Sequence, residues 1–239
     1  MQRYLLLGGG GFLMEDAPSP IDSYMLRLTG KQKPKICFVS TPGGDHPEHI
    51  DKFYAAFGMQ ACTPSHLAFF RKPAAGAIPL ADLEAHLTAQ DIVFVGGGNT
   101  KSALGVWREW GLIDIFRRVS SNGVLLAGMS AGAICWFEFG FADSYGTSSL
   151  RPLPCIGLLP GACVVHYNSD PPRRREIFAA LEAGSIDQAV AIDDYAAVIY
   201  EGRVVAGVVS WRQGAGACSI SMLNGRAVET RHPGQCILI

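Results

Sequence analysis

The sequence lacks any apolar run approaching the roughly 20 residues needed to span a bilayer, which argues against a transmembrane protein. Charge is scarce: Asp, Glu, Lys and Arg make up 17% of the 239 residues, and the formal net charge is −1. Neutralising nucleic-acid phosphates takes a basic surface, so this balance argues against nucleic acid as a main partner. There is no Cys-x-x-Cys pair. The seven cysteines (Cys37, Cys62, Cys135, Cys155, Cys163, Cys218 and Cys236) are odd in number and scattered. That usage speaks against a disulfide framework or a zinc site and suits a reducing cytoplasm. Linkers, repeats and low-complexity segments are missing, so one domain over 1–239 is expected. The N-terminal apolar stretch is too short for a signal-peptide core and reads as a first strand. Hydrophobic residues are abundant at 49%, which gives a substantial core.

Up to about residue 135, apolar runs alternate with helical patterns. Strands are expected at 4–7, 35–41, 65–70, 92–96 and 124–129, with helices near 21–29, 46–57, 80–88, 101–110 and 112–121. This spacing implies βαβ units and a doubly wound, mostly parallel α/β sheet in three layers. Glycine clusters at 8–11 and 96–98 end two strands, at the carboxyl edge where open α/β folds place ligands. Neither cluster has the spacing of a phosphate-cradling loop. After a strand at 162–166 and a helix at 173–184, the rhythm changes to short strands at 189–193, 197–200, 204–209, 217–222, 227–230 and 235–239. Glu201-Gly202 and Asn224-Gly225 are hairpin signals among them. These strands are expected to extend or cap one edge of the sheet. Residues 71–79 read as a surface loop.

The most informative segment is 124–136. An apolar strand runs into Gly128-Met129-Ser130-Ala131-Gly132, a Gly-x-Ser-x-Gly pattern with helix-compatible residues behind it. On such a strand-to-helix turn the serine is strained and its hydroxyl projects above the sheet edge. A Cβ at either glycine would clash as the chain doubles back. The helix start offers free N–H groups and a positive dipole end to a developing oxyanion.

A nucleophilic serine needs a base, an orienting acid and oxyanion donors. His166 ends an apolar run and is the favoured base, with His232, in a turn before Pro233, as its backup. His46 and His49 have His-x-x-His spacing without a third ligand, so no metal is implied. For the acid the order of preference is Asp194, Asp143, then Asp193. Ala131, following the serine, should supply one oxyanion N–H. The Gly96-Gly97-Gly98-Asn99-Thr100 turn should supply another.

Three separated motifs resemble the peptidase E (dipeptidase E) family of serine peptidases: residues 93–100 (Val-Phe-Val-Gly-Gly-Gly-Asn-Thr), residues 128–133 (Gly-Met-Ser-Ala-Gly-Ala), and Leu158-Leu159-Pro160 ahead of His166. That family is related to cyanophycinases and has a fold like class I glutamine amidotransferases, flavodoxin-like, here with extra β-hairpins in the C-terminal part. The resemblance runs from about Tyr4 to Val209. It implies Ser130 as nucleophile, His166 as base, Gly98 and Ala131 as oxyanion donors, and Gly97 and Asn99 beside the substrate. The family's acid is a glutamate in a Pro-Glu-Gly turn, where this chain has Asp193-Asp194-Tyr195. Members that cleave after an N-terminal aspartate use an arginine beyond the histidine, and this chain offers Arg173, Arg174 and Arg175.

The reading is a serine peptidase without cofactor, acting on small peptides, including dipeptides with an acidic first residue. A homodimer is left open. Two rivals stand beside it: an α/β-hydrolase-type esterase using Ser130, Asp193 or Asp194, and His232, and a non-catalytic binding protein on a peptidase scaffold. A cysteine amidotransferase is disfavoured, because Cys135 lies past the elbow.

Overall fold

A computed structural model describes residues 1–70, 75–146 and 150–237. The first half alternates as its periodicity predicts: β1 (Arg3–Leu7), α1 (Pro20–Arg27), β2 (Lys35–Val39), α2 (Pro47–Phe57), β3 (Thr63–Leu67), α3 (Leu83–Thr88), β4 (Ile92–Val95), α4 (Thr100–Glu109), α5 (Leu112–Ser121) and β5 (Leu125–Met129). Caps fix several helix starts. Ser19 and Asp22 form a capping box on α1, and the Asn99 side chain accepts from Ser102 N at the head of α4. The five strands pair in parallel in the order β3-β2-β4-β5-β1. Their carboxyl ends therefore lie on one edge.

The second half runs α6 (Ala131–Ile134), β6 (Phe137–Ala142), β7 (Arg151–Pro154), β8 (Leu159–Val164), α7 (Pro172–Glu182), β9 (Gln188–Ile192), β10 (Ala196–Glu201), β11 (Val204–Ser210), β12 (Gly216–Leu223), β13 (Arg226–Pro233) and β14 (Gln235–Cys236). β10 and β11 extend the first sheet beyond β1, antiparallel, and β14 pairs with β11. The remaining strands do more than cap an edge. They build a second sheet in the order β13-β12-β9-β8-β6-β7. The reason lies in their side chains: along β8, Cys163 is buried in the layer between the sheets, while Ala162 and Val164 are buried against α7. A strand apolar on both faces needs cover on both. The expected loop at 71–79 lies outside the described residues in its first four positions, as do the last two residues of the expected 235–239 strand.

The core follows these layers. Leu5 and Leu7 of β1 face α1 and α2 in a cluster with Phe12, Phe38, Phe53, Phe57 and Phe94. Tyr4 and Leu6 face the other way, toward α4, α5 and the second sheet. Phe12 sits within 5.2–5.7 Å, centroid to centroid, of the other four rings of its cluster. Such pairs contribute about 0.5–1.5 kcal/mol each beyond area burial. They pin the glycine segment that leaves β1. Among the described residues no helix is long and apolar enough to cross a membrane.

Candidate active site

Among the described strands the chain changes sheets four times, and the first two crossings carry residues singled out by the sequence. At the first, β5 of one sheet leads through Ser130 into α6 and β6 of the other. Ser130 has φ 56° and ψ −115°, a strained conformation for a residue with a Cβ. Added Cβ atoms at Gly128 and Gly132 would lie 2.2 Å from Gly132 O and 2.0 Å from Val95 O, so the turn closes only without them. α6 is a single turn, four residues long, before the chain becomes strand. The expected helix dipole is therefore small, because it needs many aligned peptide units. The Ala131 N–H nevertheless has no acceptor within its own helix.

At the second crossing, β9 leads through Asp193-Asp194-Tyr195 into β10. Asp194 is 8% exposed, and its Oδ1 lies 2.6 Å from His166 Nδ1. His166 Nε2 lies 3.0 Å from Ser130 Oγ. His166 itself has φ 55° just after β8, which turns its ring toward the serine. Serine, histidine and aspartate thus form one hydrogen-bonded line. Burial alone would raise the Asp194 carboxyl. Hydrogen bonds from His166 and Ser169, with the nearby positive charges of His166 and Arg173, outweigh that and hold it below its ordinary value.

The other candidate acids are elsewhere. Asp193 is buried, and its Oδ2 accepts from Gly216 N (3.0 Å) and Arg231 Nη2 (2.7 Å), which locks the β12–β13 hairpin to the turn. Asp143 is exposed on the rim of the cleft and makes no bond to His166, whose Nδ1 is taken by Asp194. It therefore does not complete the line, because the loop after β6 leaves it too far around the cleft. His232 does not serve as backup base: on β13 its Nε2 is 2.8 Å from Ser219 Oγ. The His46 and His49 rings are 5.9 Å apart, and no described group of three His, Cys, Asp or Glu side chains could hold a metal ion.

A cleft of about 240 Å³ opens over Ser130, lined by Gly98, Thr100, Ala131 and His166, with an apolar wall that includes Ile134 and Phe141 and charges from Asp143 and Arg173. Gly98 and Ala131 flank the serine, and Gly97 packs behind it. Asn99 differs from expectation. Its Nδ2 donates to Ser144 O (3.2 Å) and its Oδ1 caps α4, so the side chain holds the α4 start to the loop after β6. Of the three arginines only Arg173 reaches the cleft. Its side chain is 13% exposed, and its Nε donates to Asp170 Oδ2 at 2.8 Å. Arg175 is exposed on the outer face of α7, because helical spacing turns it away. Arg174 pairs with Glu229, which also accepts from Tyr167 OH. Asn168 Oδ1 accepts from Asp194 N at 2.8 Å. No sequence motif marks Asn168.

A strained serine, a histidine in reach and a buried carboxylate behind it describe a serine hydrolase. The comparisons narrow the class. The profile of peptidase family S51 matches residues 4–207, and the chain belongs to that family. It is a serine peptidase. The uncharacterized peptidase YgaJ of Bacillus subtilis (strain 168) is 38% identical over 233 residues, covering 98% of each chain. A crystal structure of a peptidase from an acI-B1 Actinobacterium aligns with a TM-score of 0.71 at 14% identity, covering 98% of this chain and 95% of that one. Another, assigned as a peptidase E protein from Listeria monocytogenes EGD-e, aligns at 0.62 with 15% identity, covering 89% and 100%. At that identity these two structures speak to the fold.

Proposed function

We propose that this serine peptidase hydrolyses small peptides, with Ser130 as nucleophile, His166 as general base and acid, and Asp194 as the orienting carboxylate. The observation that carries the reading is the unbroken line Ser130 Oγ, His166 Nε2, His166 Nδ1, Asp194 Oδ1, with links of 3.0 and 2.6 Å. Ser130 Oγ attacks the scissile carbonyl as its proton passes to His166 Nε2. The carbonyl oxygen becomes an oxyanion facing the Ala131 and Gly98 N–H groups. His166 then returns the proton to the leaving amine, and the C–N bond breaks. Water, deprotonated by the same nitrogen, attacks the acyl-enzyme, and Ser130 leaves with the proton. Asp194 keeps the Nδ1–H tautomer and stabilises the imidazolium.

A cleft of about 240 Å³ supports a substrate of dipeptide size rather than a folded protein. Arg173, mostly buried at its wall, supports a preference for an acidic side chain. Seven free cysteines support a reducing, cytoplasmic setting. The test is a dipeptide and isoaspartyl-peptide library screened by mass spectrometry against wild type, Ser130→Ala and His166→Ala, with fluorophosphonate labelling of Ser130 alongside. Each variant should fold and lose roughly 10⁴ to 10⁶ in kcat. Retention of more than about a tenth of wild-type turnover by either folded variant would overturn the assignment.

A further inference from the structure

The glycine run that leaves β1 lies against the Asp194–His166 pair. Gly8 N donates to Ala196 O at 3.1 Å, and Tyr195 N donates to Gly9 O at 2.9 Å. Gly9 also forms a parallel bridge with Asp194. The end of β1 is thereby stitched to the crossing between β9 and β10. At that distance there is no room for side chains. A Cβ on Gly8 would lie 2.2 Å from Asp193 O. One on Gly9 would lie 2.0 Å from Asp194 Oδ1 and 2.9 Å from His166 Nδ1, the two atoms of the acid–base bond. Gly9 does not occupy the left-handed region, so its backbone would accept alanine. Only the Cβ is forbidden.

We infer that Gly9 is a positioning residue for catalysis, whose missing side chain is the space in which the Asp194 carboxylate meets His166. The inference rests on the Ser130–His166–Asp194 reading. The Asp194 side chain is short and is anchored through its backbone N–H to Asn168. It cannot move aside and still keep a 2.6 Å bond to the ring. Alanine at position 9 therefore displaces the carboxylate and uncouples it from His166. The loss resembles removal of the acid itself, about 10⁴-fold in kcat. Gly9 does not line the substrate cleft, so KM stays unchanged.

The experiment is a double-mutant cycle of Gly9→Ala and Asp194→Ala, with Gly105→Ala as control, since a Cβ there meets nothing within 4 Å. Gly9→Ala should lose kcat with KM retained. It should also lose the far-downfield His166 Nδ1 proton resonance. In the Asp194→Ala background, adding Gly9→Ala should cost far less kcat than in the wild type, because the carboxylate it strikes hardest, at 2.0 Å, is gone and only the 2.9 Å approach to His166 Nδ1 remains. If Gly9→Ala does not fold alone, it should fold when combined with Asp194→Ala; failure of both would overturn the inference. A folded Gly9→Ala with wild-type kcat, beside a crippled Asp194→Ala, overturns the inference and leaves the triad standing. A fully active Asp194→Ala overturns both.

Discussion

Ser130 holds φ at 56°, a conformation that costs a residue with a Cβ about 1–3 kcal/mol and that the surrounding turn must impose. His166, at φ 55°, is held in the same region. Both strained residues point their side chains at one another, so the backbone strain and the chemistry share a location. The three aspartates near them illustrate how much a single contact decides. Asp194→Asn should cost about 10⁴ in kcat, because an amide cannot hold the imidazole tautomer or stabilise its cation. Asp193→Asn should instead weaken the hairpin lock to Arg231 and show mainly as lost stability in urea denaturation. Asp143→Asn should leave the His166-dependent step intact and act, if on anything, on KM. A larger kcat loss from Asp143→Asn than from Asp194→Asn would reverse this order. The sequence reading ranks Asp194 ahead of Asp193, but adjacency alone does not separate them. Alternation assigns 193 and 194 to opposite sides of the chain, but which side faces His166 depends on where the crossing begins.

Among the elements, α7 separates three arginines that a sequence presents as equivalent. Successive residues on a helix point about 100° apart. Arg173 thus reaches the cleft, Arg174 stacks on Phe178 and pairs with Glu229 of β13, and Arg175 faces outward. The expected consequence is a selective loss. Arg173→Gln should lower kcat/KM for Asp-Leu by roughly 10- to 150-fold relative to Ala-Leu, the worth of a desolvated arginine–carboxylate pair. Arg174→Gln and Arg175→Gln should leave that ratio unchanged. Parallel initial-rate measurements on the two peptides at one salt concentration check it. The elements before Ser130 were legible because period and punctuation agree there, as in the capped start of α4 at Asn99. β6 was not. Trp136-Phe137-Glu138-Phe139 continues an apolar run from a turn of helix, and only the second sheet, far along the chain, makes it a strand. The places of Ser130 and His166 as candidate nucleophile and base were legible from the Gly-x-Ser-x-Gly turn and a strand end, whereas Gly9 and Asn168 meet Asp194 through a bridge nearly two hundred residues apart and a hydrogen bond across 26 residues.

For the molecule as a whole, two carboxyls set opposing responses to pH. Asp22, buried at the start of α1, is raised from 3.8 to about 6, chiefly by desolvation, against the hydrogen bonds it accepts from Ser19 and Phe12. Its folded form holds a proton that the unfolded chain releases. The associated stability is therefore complete below pH 3.8 and fades as pH rises through about 6. Asp194 has the opposite sign: held below its ordinary value, it contributes stability above that value and loses it as pH falls through its lower folded one. Urea midpoints taken across pH should decline from pH 4 toward 6, the window of Asp22. Asp22→Asn should flatten that slope and leave the acid-side loss in place.

The first two crossings between sheets also set an order of events for a chain emerging from the ribosome. The serine turn is synthesised early, at the end of the first sheet's parallel strands, and on its own it is an alcohol without a base. Histidine and acid arrive some thirty-five and sixty residues later, on the other sheet, and the acid finds its seat only when that crossing docks beside β1. On the proposed triad, a nascent or half-folded chain has no means of cutting peptides. Labelling by a serine-directed probe during refolding would report when the sheets have met.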